Sequence, residues 1–183
     1  MKRAVITGLG AITPIGNSIE QFWQNLIKGK SGAASITRFD SSEHKTKFAC
    51  EVKNFDPLQY FEKGEVRKLD LYTQFAIAAS DECIKDSNID LSNCDLTKFG
   101  VILATGIGGL QTLEDELVSY GENKGAPRFS PFFITKLLSN IATGQISIRY
   151  GLRGISYSVN SACAASNNAL ANALDHIRLG RAN

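Results

Sequence analysis

The chain is poor in cysteine and histidine and has no long hydrophobic run, and each scarcity excludes a class of protein. Four Cys in 183 residues, none in a Cys-x-x-Cys pair, argue against a zinc site and give no sign of an oxidising compartment. No apolar run approaches the roughly 20 residues that span a bilayer. A net charge of +2 is too small to indicate a nucleic-acid partner. We therefore expect a cytoplasmic globular protein that binds no metal, membrane or nucleic acid.

The first glycines of the chain exclude two further interpretations. The basic start Met1–Arg3 and the apolar residues after it resemble a signal peptide, but Gly8, Gly10 and Pro14 interrupt the apolar run. Gly8 and Gly10 also begin a G-x-G-x-x-G dinucleotide fingerprint, in which Thr13 stands at the third glycine position. We interpret these glycines as a tight turn and expect no bound nucleotide.

Hydrophobic periodicity predicts strands that alternate with helices, which is typical of an α/β fold with a mostly parallel sheet between helix layers. Strands are predicted at 4–7, 48–52, 99–105 and 155–159. The first helix is predicted to begin at Ser18, where Gln21 completes a capping-box pattern. Further helices are predicted at 65–87, 110–117 and 130–141, and after Cys163 with an apolar face of Leu170, Leu174 and Ile177.

Cys163 is the strongest candidate for a catalytic residue. It follows the last predicted strand and lies where the last helix begins, among small residues that permit a sharp turn. A thiol at a helix N-terminus has a lowered pKa, because free N–H groups and the helix dipole stabilise the thiolate. An isolated cysteine is more often a buried structural residue, but this position favours a nucleophile.

The usual partner of a cysteine nucleophile is missing from the surroundings of Cys163. A general base is most often histidine, and the chain has two. His176 lies further along the same predicted helix, about 20 Å away at 1.5 Å per residue. His44 falls in a polar stretch that is typical of a solvated loop. The sequence therefore predicts a nucleophile without its acid–base partners.

A series of motifs, in order along the chain, resembles those of the β-ketoacyl-acyl-carrier-protein synthases, in particular the elongating type II enzymes of bacterial fatty acid synthesis. The first is the strand and turn at 2–16, and the last is Ser161–Ala164, which matches the active-site signature. The others lie between them, at 22–23, 29–32, 36–40, 105–109, 130–133 and 144–148. The resemblance implies a thiolase-like α/β fold, of which residues 1–183 would be the N-terminal half, ending after the active-site helix.

The resemblance also implies a reaction. Such enzymes condense an acyl thioester with malonyl-carrier-protein and release carbon dioxide, and Cys163 would carry the acyl group. Its backbone N–H would be one of two oxyanion-hole donors. The family's two catalytic His and its active-site Lys would lie in the C-terminal half, beyond Asn183. Ala165 stands where many relatives have Thr or Ser, and we expect only a packing change there.

Binding residues follow from the same resemblance. Ile107 and Phe133 would contact the acyl chain, although from the residues alone both are more typical of core. Lys63, Arg67 and Lys68 would face an acidic acyl carrier protein, whose phosphopantetheine arm carries the substrate. Arg67 and Lys68 fall at the start of a predicted helix, where cations lose dipole stabilisation, which favours a role in binding. No cofactor would be bound by the enzyme itself.

The strand at 155–159 would form the edge of a homodimer. Three alternatives stay open: a non-catalytic fragment that only folds or dimerises, a non-catalytic chain-length-factor type partner, and a polyketide-type condensing enzyme. Cys163 argues against the second, because chain-length factors lack the nucleophile.

Overall fold

The computed structural model describes residues 3–124 and 128–183. The strands in this part of the chain are short: β1 (Ala34–Ser35), β2 (Phe48–Ala49), β3 (Val101–Ala104) and β4 (Ser156–Val159). The α-helices are α1 (Ile19–Ile27), α2 (Lys63–Val66), α3 (Leu71–Asp86), α4 (Leu110–Glu122), α5 (Phe133–Leu137), α6 (Ile141–Tyr150) and α7 (Ala165–Arg178). Met1 and Lys2, the basic start of the signal-like stretch, lie outside the described residues. No helix in the described part combines the length and the apolar character needed to cross a bilayer.

Strands β3 and β4 pair in parallel, as predicted for the segments at 99–105 and 155–159. The register runs from Val101 opposite Ser156 to Ala104 opposite Val159. Helices α6 and α7 both pack against this pair, and α3 packs on α6. Parallel strands place their carboxyl ends at the same edge, so the residues that follow β3 and β4 lie side by side.

The core lies where α3 and α6 meet. Phe61, Leu69, Ile77 and Ile146 form its buried hydrophobic cluster. Ala142 is fully buried and Ala78 nearly so, because small side chains let the two helices approach closely. β1 and β2 form a separate antiparallel pair, and β2 corresponds to part of the strand predicted at 48–52.

The first helix forms as its sequence predicts. The hydroxyl of Ser18 accepts a hydrogen bond from the Gln21 N–H at 3.2 Å, and the Gln21 side chain accepts from the Asn17 N–H at 3.1 Å. The helix ends before Gly29, whose positive φ of 66° suits glycine. A cap at the N-terminus and a glycine at the C-terminus therefore set both ends of α1.

The strand predicted at 4–7 is wrong, because no strand in the described residues pairs with it. Val5 and Ile6 are 72% and 78% exposed. The chain beyond them lies instead along α3, where the Leu9 N–H donates to Asp86 and the Ala11 N–H donates to Glu82, at 2.9 and 2.8 Å. The parallel sheet of the described part therefore has two strands.

Two predicted helices are each divided into two. The helix predicted at 65–87 is interrupted before Leu71, because Asp70 caps a new helix with extended backbone (φ −68°, ψ 157°). The helix predicted at 130–141 is interrupted at Leu138, whose backbone is also extended (φ −68°, ψ 134°). Hydrophobic periodicity continued through both breaks and concealed them.

The buried face of α7 also differs from the prediction. Ala165 and Ala169 are buried, whereas Leu170 is 66% exposed. Leu174 and Ile177 are half-buried, and Ile177 lines a cavity with Ile102 of β3, so the predicted apolar face is wrong at Leu170 alone. Small alanines at the start of α7 are buried because they allow the helix to approach its neighbours closely.

Candidate active site

Cys163 lies in a strained turn between β4 and α7. The strand ends at Val159, a single turn of 3-10 helix follows at Ala162–Ala164, and α7 begins at Ala165. The residue before the cysteine, Ala162, has a positive φ of 48°, a conformation that costs a non-glycine residue energy. Cys163 itself is exposed. The predicted position of Cys163 at a strand-to-helix joint is therefore confirmed.

Two asparagines hold this turn in place. The Asn168 side-chain amide donates to the Ser161 hydroxyl at 2.7 Å, which ties the turn to the first part of α7. The Asn160 amide donates to the Thr105 carbonyl at 3.1 Å, which ties it to the loop after β3. The side-chain oxygen of Asn160, Oδ1, accepts from the Ser158 hydroxyl at 3.1 Å. Our sequence reasoning missed Asn160, whose only signal was its place between the strand and the cysteine.

The backbone N–H of Cys163 is available to an anion. Among the described residues, the turn uses the Ala164 N–H, which donates to the Ser161 carbonyl at 3.0 Å, and the Ala165 N–H, which donates to the Ala162 carbonyl. No acceptor is found there for the N–H of Cys163. Because a helix N-terminus carries partial positive charge, the turn offers this N–H as a donor to an oxyanion.

Ile107 lies on the loop that follows β3, beside the cysteine turn. The side chain is 63% exposed. The Gly108 N–H donates to the Thr105 hydroxyl at 3.2 Å, and the Gly109 N–H donates to the Leu137 carbonyl at 3.0 Å. The loop is thus fixed at both ends while Ile107 projects outward. An outward Ile on an ordered loop is suited to contact a bound apolar group.

Phe133, the second predicted acyl-chain contact, begins α5. Its ring stacks on Phe129 with centroids 5.4 Å apart, and Phe129 stacks in turn on Tyr120 at the same distance. The structure therefore places Phe133 at the end of an aromatic row, on a different element from Ile107. A link between them runs through α5, since the loop of Ile107 bonds to Leu137.

Lys63, Arg67 and Lys68, which we call the basic patch, are all exposed. The one ion pair found in the described residues is between Arg149 and Asp81, so no acidic side chain there forms an ion pair with the patch. The predicted helix position is wrong: Arg67 follows the last residue of α2, and Lys68 lies in the break before α3. Cations near a helix C-terminus are stabilised by the dipole, so the argument from dipole cost does not hold.

Neither histidine lies beside Cys163. His176 is near the end of α7, where its Nε2 is 3.2 Å from the Tyr157 hydroxyl. His44 lies in a turn against the ring of Phe39, with centroids 5.3 Å apart. Within 3–124 and 128–183, no cluster of three or more His, Cys, Asp or Glu side chains forms a metal site.

The remaining cysteines differ from Cys163 in their surroundings. Cys83 lies in α3 and donates to the Gly8 carbonyl at 3.3 Å. Burial raises the pKa of its thiol, and the nearby carboxylates of Asp86 and Glu82 raise it further. Cys94 donates to the Asp90 carbonyl at 3.3 Å, while Cys50 is exposed. All four are free thiols.

A cysteine in a tight turn at the carboxyl end of a parallel strand, opening a helix, is the arrangement by which an α/β fold exposes a nucleophile. The family model described as Beta-ketoacyl synthase, N-terminal domain, matches residues 1–183. The chain therefore belongs to the β-ketoacyl synthase family and forms that N-terminal domain.

Curated relatives agree with this assignment. The chain is 40% identical over 181 residues to 3-oxoacyl-[acyl-carrier-protein] synthase 2 of Synechocystis sp. (strain ATCC 27184 / PCC 6803 / Kazusa). It is 38% identical over 183 residues to the protein of the same name from Staphylococcus aureus (strain N315). Each alignment covers 99% of this chain but only 43% and 44% of the relative, so the chain spans less than half the length of these proteins.

Solved structures show the same fold. The ishigamide ketosynthase/chain length factor matches with a TM-score of 0.86 and 25% identity, over 98% of this chain and 45% of that one. A type II PKS acyl-carrier protein in complex with its ketosynthase bound to the hexaketide matches with a TM-score of 0.80 and 25% identity, over 100% and 48%. The fold of this chain is the N-terminal half of the thiolase-like fold of ketosynthases.

Proposed function

We propose that the protein carrying these residues condenses an acyl thioester with malonyl-acyl-carrier-protein to extend fatty acyl chains, and that Cys163 is its nucleophile. The observation that carries the proposal is the exposed Cys163 in a strained turn at the start of α7, with its own N–H free of any acceptor in the described part. Exposure admits the substrate, and the helix N-terminus places partial positive charge beside the attacking sulfur.

The proposed reaction has two steps. In the first, the Cys163 thiolate attacks the acyl carbonyl and a new carbon–sulfur bond forms. The carbon–sulfur bond to the carrier's pantetheine breaks, and the departing sulfur takes up the proton that the Cys163 thiol released. In the second, malonyl-carrier-protein loses carbon dioxide, and its carbanion attacks the acyl-Cys163 carbonyl. The carbon–sulfur bond then breaks and the thiolate returns. In both steps the Cys163 N–H is proposed to donate to the oxygen that becomes negative.

Decarboxylation needs groups that lie away from Cys163 or outside the described residues. In the family these are two His and a Lys of the C-terminal half, and the histidines of this chain lie elsewhere, His176 against Tyr157 and His44 against Phe39. The proposal therefore concerns the full natural polypeptide that contains residues 1–183, called here the full polypeptide. The acyl transfer to Cys163 is the part of the reaction that this chain's own residues perform.

An acidic acyl carrier protein is the proposed substrate carrier. The basic patch of Lys63, Arg67 and Lys68 is exposed and has no ion pair in the described residues, which suits electrostatic steering of an acidic partner. A homodimer joined along the free edge of β4 is part of the same proposal, since β4 pairs with β3 on one side only in the described part.

A polyketide-type condensing enzyme is the second candidate, because one of the two matching solved structures described above is that of a type II PKS acyl-carrier protein with its ketosynthase. Their identity to this chain is 25%, against 40% and 38% for the 3-oxoacyl-[acyl-carrier-protein] synthases. The higher identity favours fatty acid synthesis. A chain-length-factor role is disfavoured by Cys163, and a non-catalytic domain would show no acyl transfer at all.

Mass spectrometry of the acylated full polypeptide tests the proposal. After incubation with an acyl-acyl-carrier-protein, the peptide that contains Cys163 should gain the mass of the acyl group. Cys163→Ser should lose the adduct, whereas Cys50→Ser, a matched control at another exposed thiol, should keep it. An adduct that persists in Cys163→Ser, or none in the unmutated protein, would refute the assignment. Addition of malonyl-acyl-carrier-protein should then discharge the adduct as a 3-oxoacyl product.

A further inference from the structure

A buried carboxylate joins the basic patch to the loop of Ile107. Asp70 follows directly after the patch and is 5% exposed. One carboxylate oxygen accepts from the Tyr72 N–H at 3.1 Å and so caps α3. The other accepts from the Thr112 N–H at 3.2 Å and from the Thr112 hydroxyl at 2.5 Å. One side chain thus serves the first turns of two helices, α3 and α4.

Helix α4 needs this distant carboxylate because its own first residues cannot supply a cap. Its N-cap is Gly109, which has no side chain to accept a hydrogen bond. The neighbouring backbone explains the glycine: a Cβ at Gly109 would lie 2.2 Å from the Lys136 carbonyl oxygen. Asp70, from 42 residues earlier in the chain, replaces the missing cap.

The start of α4 controls where Ile107 lies. The loop at 105–109 runs from β3 directly into α4, so its far end moves with the first turn of that helix. Its near end is held by Asn160, which donates to the Thr105 carbonyl at 3.1 Å and stands three residues before Cys163. Ile107 therefore lies between two fixed points: Thr105, which is bound by Asn160, and the first turn of α4, which is bound by Asp70.

Two residues close to Asp70 in the chain, Lys68 and Tyr72, also contact the segment around Phe133. The Tyr72 hydroxyl donates to the Leu138 carbonyl at 2.6 Å. The Lys68 ammonium lies 5.8 Å from the centroid of the Phe132 ring, within the range of a cation–π contact. One short segment thus contacts two helices: Asp70 binds the first turn of α4, while Lys68 and Tyr72 contact the two ends of α5.

We propose that Asp70 is a positioning residue, which fixes the Ile107 loop relative to Cys163 and so sets how acyl chains of different length are accepted. The inference rests on the proposed function, from which acyl transfer and the contact of Ile107 with the chain are taken. Asp70 does not touch substrate: it acts through Thr112 and the first turn of α4. We expect an acetyl group to depend less on Ile107 than a longer chain does, because it extends less far from the Cys163 sulfur.

The test compares acylation of Cys163 by acetyl- and octanoyl-pantetheine thioesters in the full polypeptide. Asp70→Asn keeps the shape but removes the charge and replaces one acceptor oxygen with a donor, so the side chain can no longer accept from both Tyr72 and Thr112. We expect octanoyl transfer to fall about tenfold relative to acetyl transfer, the scale of one hydrogen bond to a charged group. Asp81→Asn, a matched change on the same helix at an ion pair with Arg149, should leave the ratio unchanged.

Thr112 supplies variants that do not disturb the α3 cap. Thr112→Val removes only the hydroxyl that binds Asp70 and should shift the ratio in the same direction, whereas Thr112→Ser keeps the hydroxyl and should restore it. If Asp70→Asn does not fold, the Thr112 pair decides the question. Equal slowing of both thioesters would overturn the positioning role while leaving the nucleophile intact. No acylation of the unmutated protein by either thioester would refute the proposed function and this inference with it.

Discussion

The four thiols of the chain differ in exposure, and their reactivity should differ accordingly. Cys163 is exposed at the start of α7, whereas Cys83 is half-buried and burial raises its pKa. We expect iodoacetamide at neutral pH to modify Cys163 about tenfold faster than Cys83, because the reagent reaches Cys163 freely and the raised pKa leaves less reactive thiolate at Cys83. The measurement is the rate of label uptake at each cysteine-containing peptide of the full polypeptide.

Cys50 is the informative comparison for this labelling, because it is exposed like Cys163 but lies outside any helix start. Cys163→Ser should remove the fast phase and leave the rates of the other three thiols unchanged. Equal rates at Cys50 and Cys163 in the folded protein would show that exposure alone governs the labelling, and the helix N-terminus would then have no part in it.

Local sequence was sufficient to place residues whose surroundings are local. The turn at Cys163 and the Ser18 cap were both predicted, since each depends on neighbours within a few positions. Asn160 and Asp70 were not, because their partners Thr105 and Thr112 are 55 and 42 residues away. An asparagine or aspartate at such a position has no sequence signal until the fold brings its partner close.

Among the elements, the stretch before α1 depends on glycine for its contact with α3. A Cβ at Gly10 would lie 1.9 Å from the Ala79 carbonyl oxygen, a distance that backbone atoms cannot tolerate. We therefore expect Gly10→Ala to lower the free energy of unfolding by about 1–3 kcal/mol, the usual cost of overpacking. Urea denaturation of the full polypeptide, followed by circular dichroism, measures the change.

Gly64 provides the control for this substitution. It lies in α2, and a Cβ there would meet nothing within 4 Å. Gly64→Ala should leave stability unchanged or raise it by up to about 1 kcal/mol, because alanine loses less backbone entropy than glycine in a helix. Similar losses in both variants would mean that steric contact with α3 is not the reason for glycine at position 10.

Element boundaries were predicted well where capping residues mark them and poorly where packing decides. Ser18 and Gly29 delimit α1 as expected, but the predicted helix at 65–87 is broken at Asp70. The break places Asp70 where it reaches α4, a contact that hydrophobic periodicity does not record. The strand predicted at 4–7 failed for a related reason: a strand forms only where another strand pairs with it.

For the molecule as a whole, the join between α3 and α6 combines the hydrophobic core with the ion pair of the described residues. Asp81 on α3 accepts from the Arg149 Nε at 2.8 Å and from its Nη2 at 2.6 Å, and also from the Tyr150 hydroxyl. Arg149 in turn lies over the Phe61 ring, with 5.6 Å to the centroid. A hydrogen-bonded network of Asp81, Arg149 and Tyr150 thus covers the solvent-facing side of the hydrophobic core at this join.

Alkaline pH should weaken this join through Tyr150. Burial, and then the hydrogen bond to the Asp81 carboxylate and its charge, raise the pKa of Tyr150 above its usual value of about 10. The unfolded chain therefore loses this proton at lower pH than the folded protein does. Its contribution to stability is complete below about pH 10 and declines as the pH rises toward the folded-state pKa.

Urea unfolding midpoints of the full polypeptide measure this decline. They are taken from about pH 8 to about pH 11, a range that brackets the usual tyrosine pKa of about 10. Tyr150→Phe should be less stable at the lower end, because the Asp81 bond is lost, and should fall less steeply above pH 10. Part of the loss of stability at high pH should remain in Tyr150→Phe, since burial also raises the pKa of Tyr72 and Tyr60. Tyr120→Phe leaves the Asp81 network intact and serves as the matched control. An alkaline slope in Tyr150→Phe equal to that of the unmutated protein would mean that the α3–α6 join does not set the response to pH.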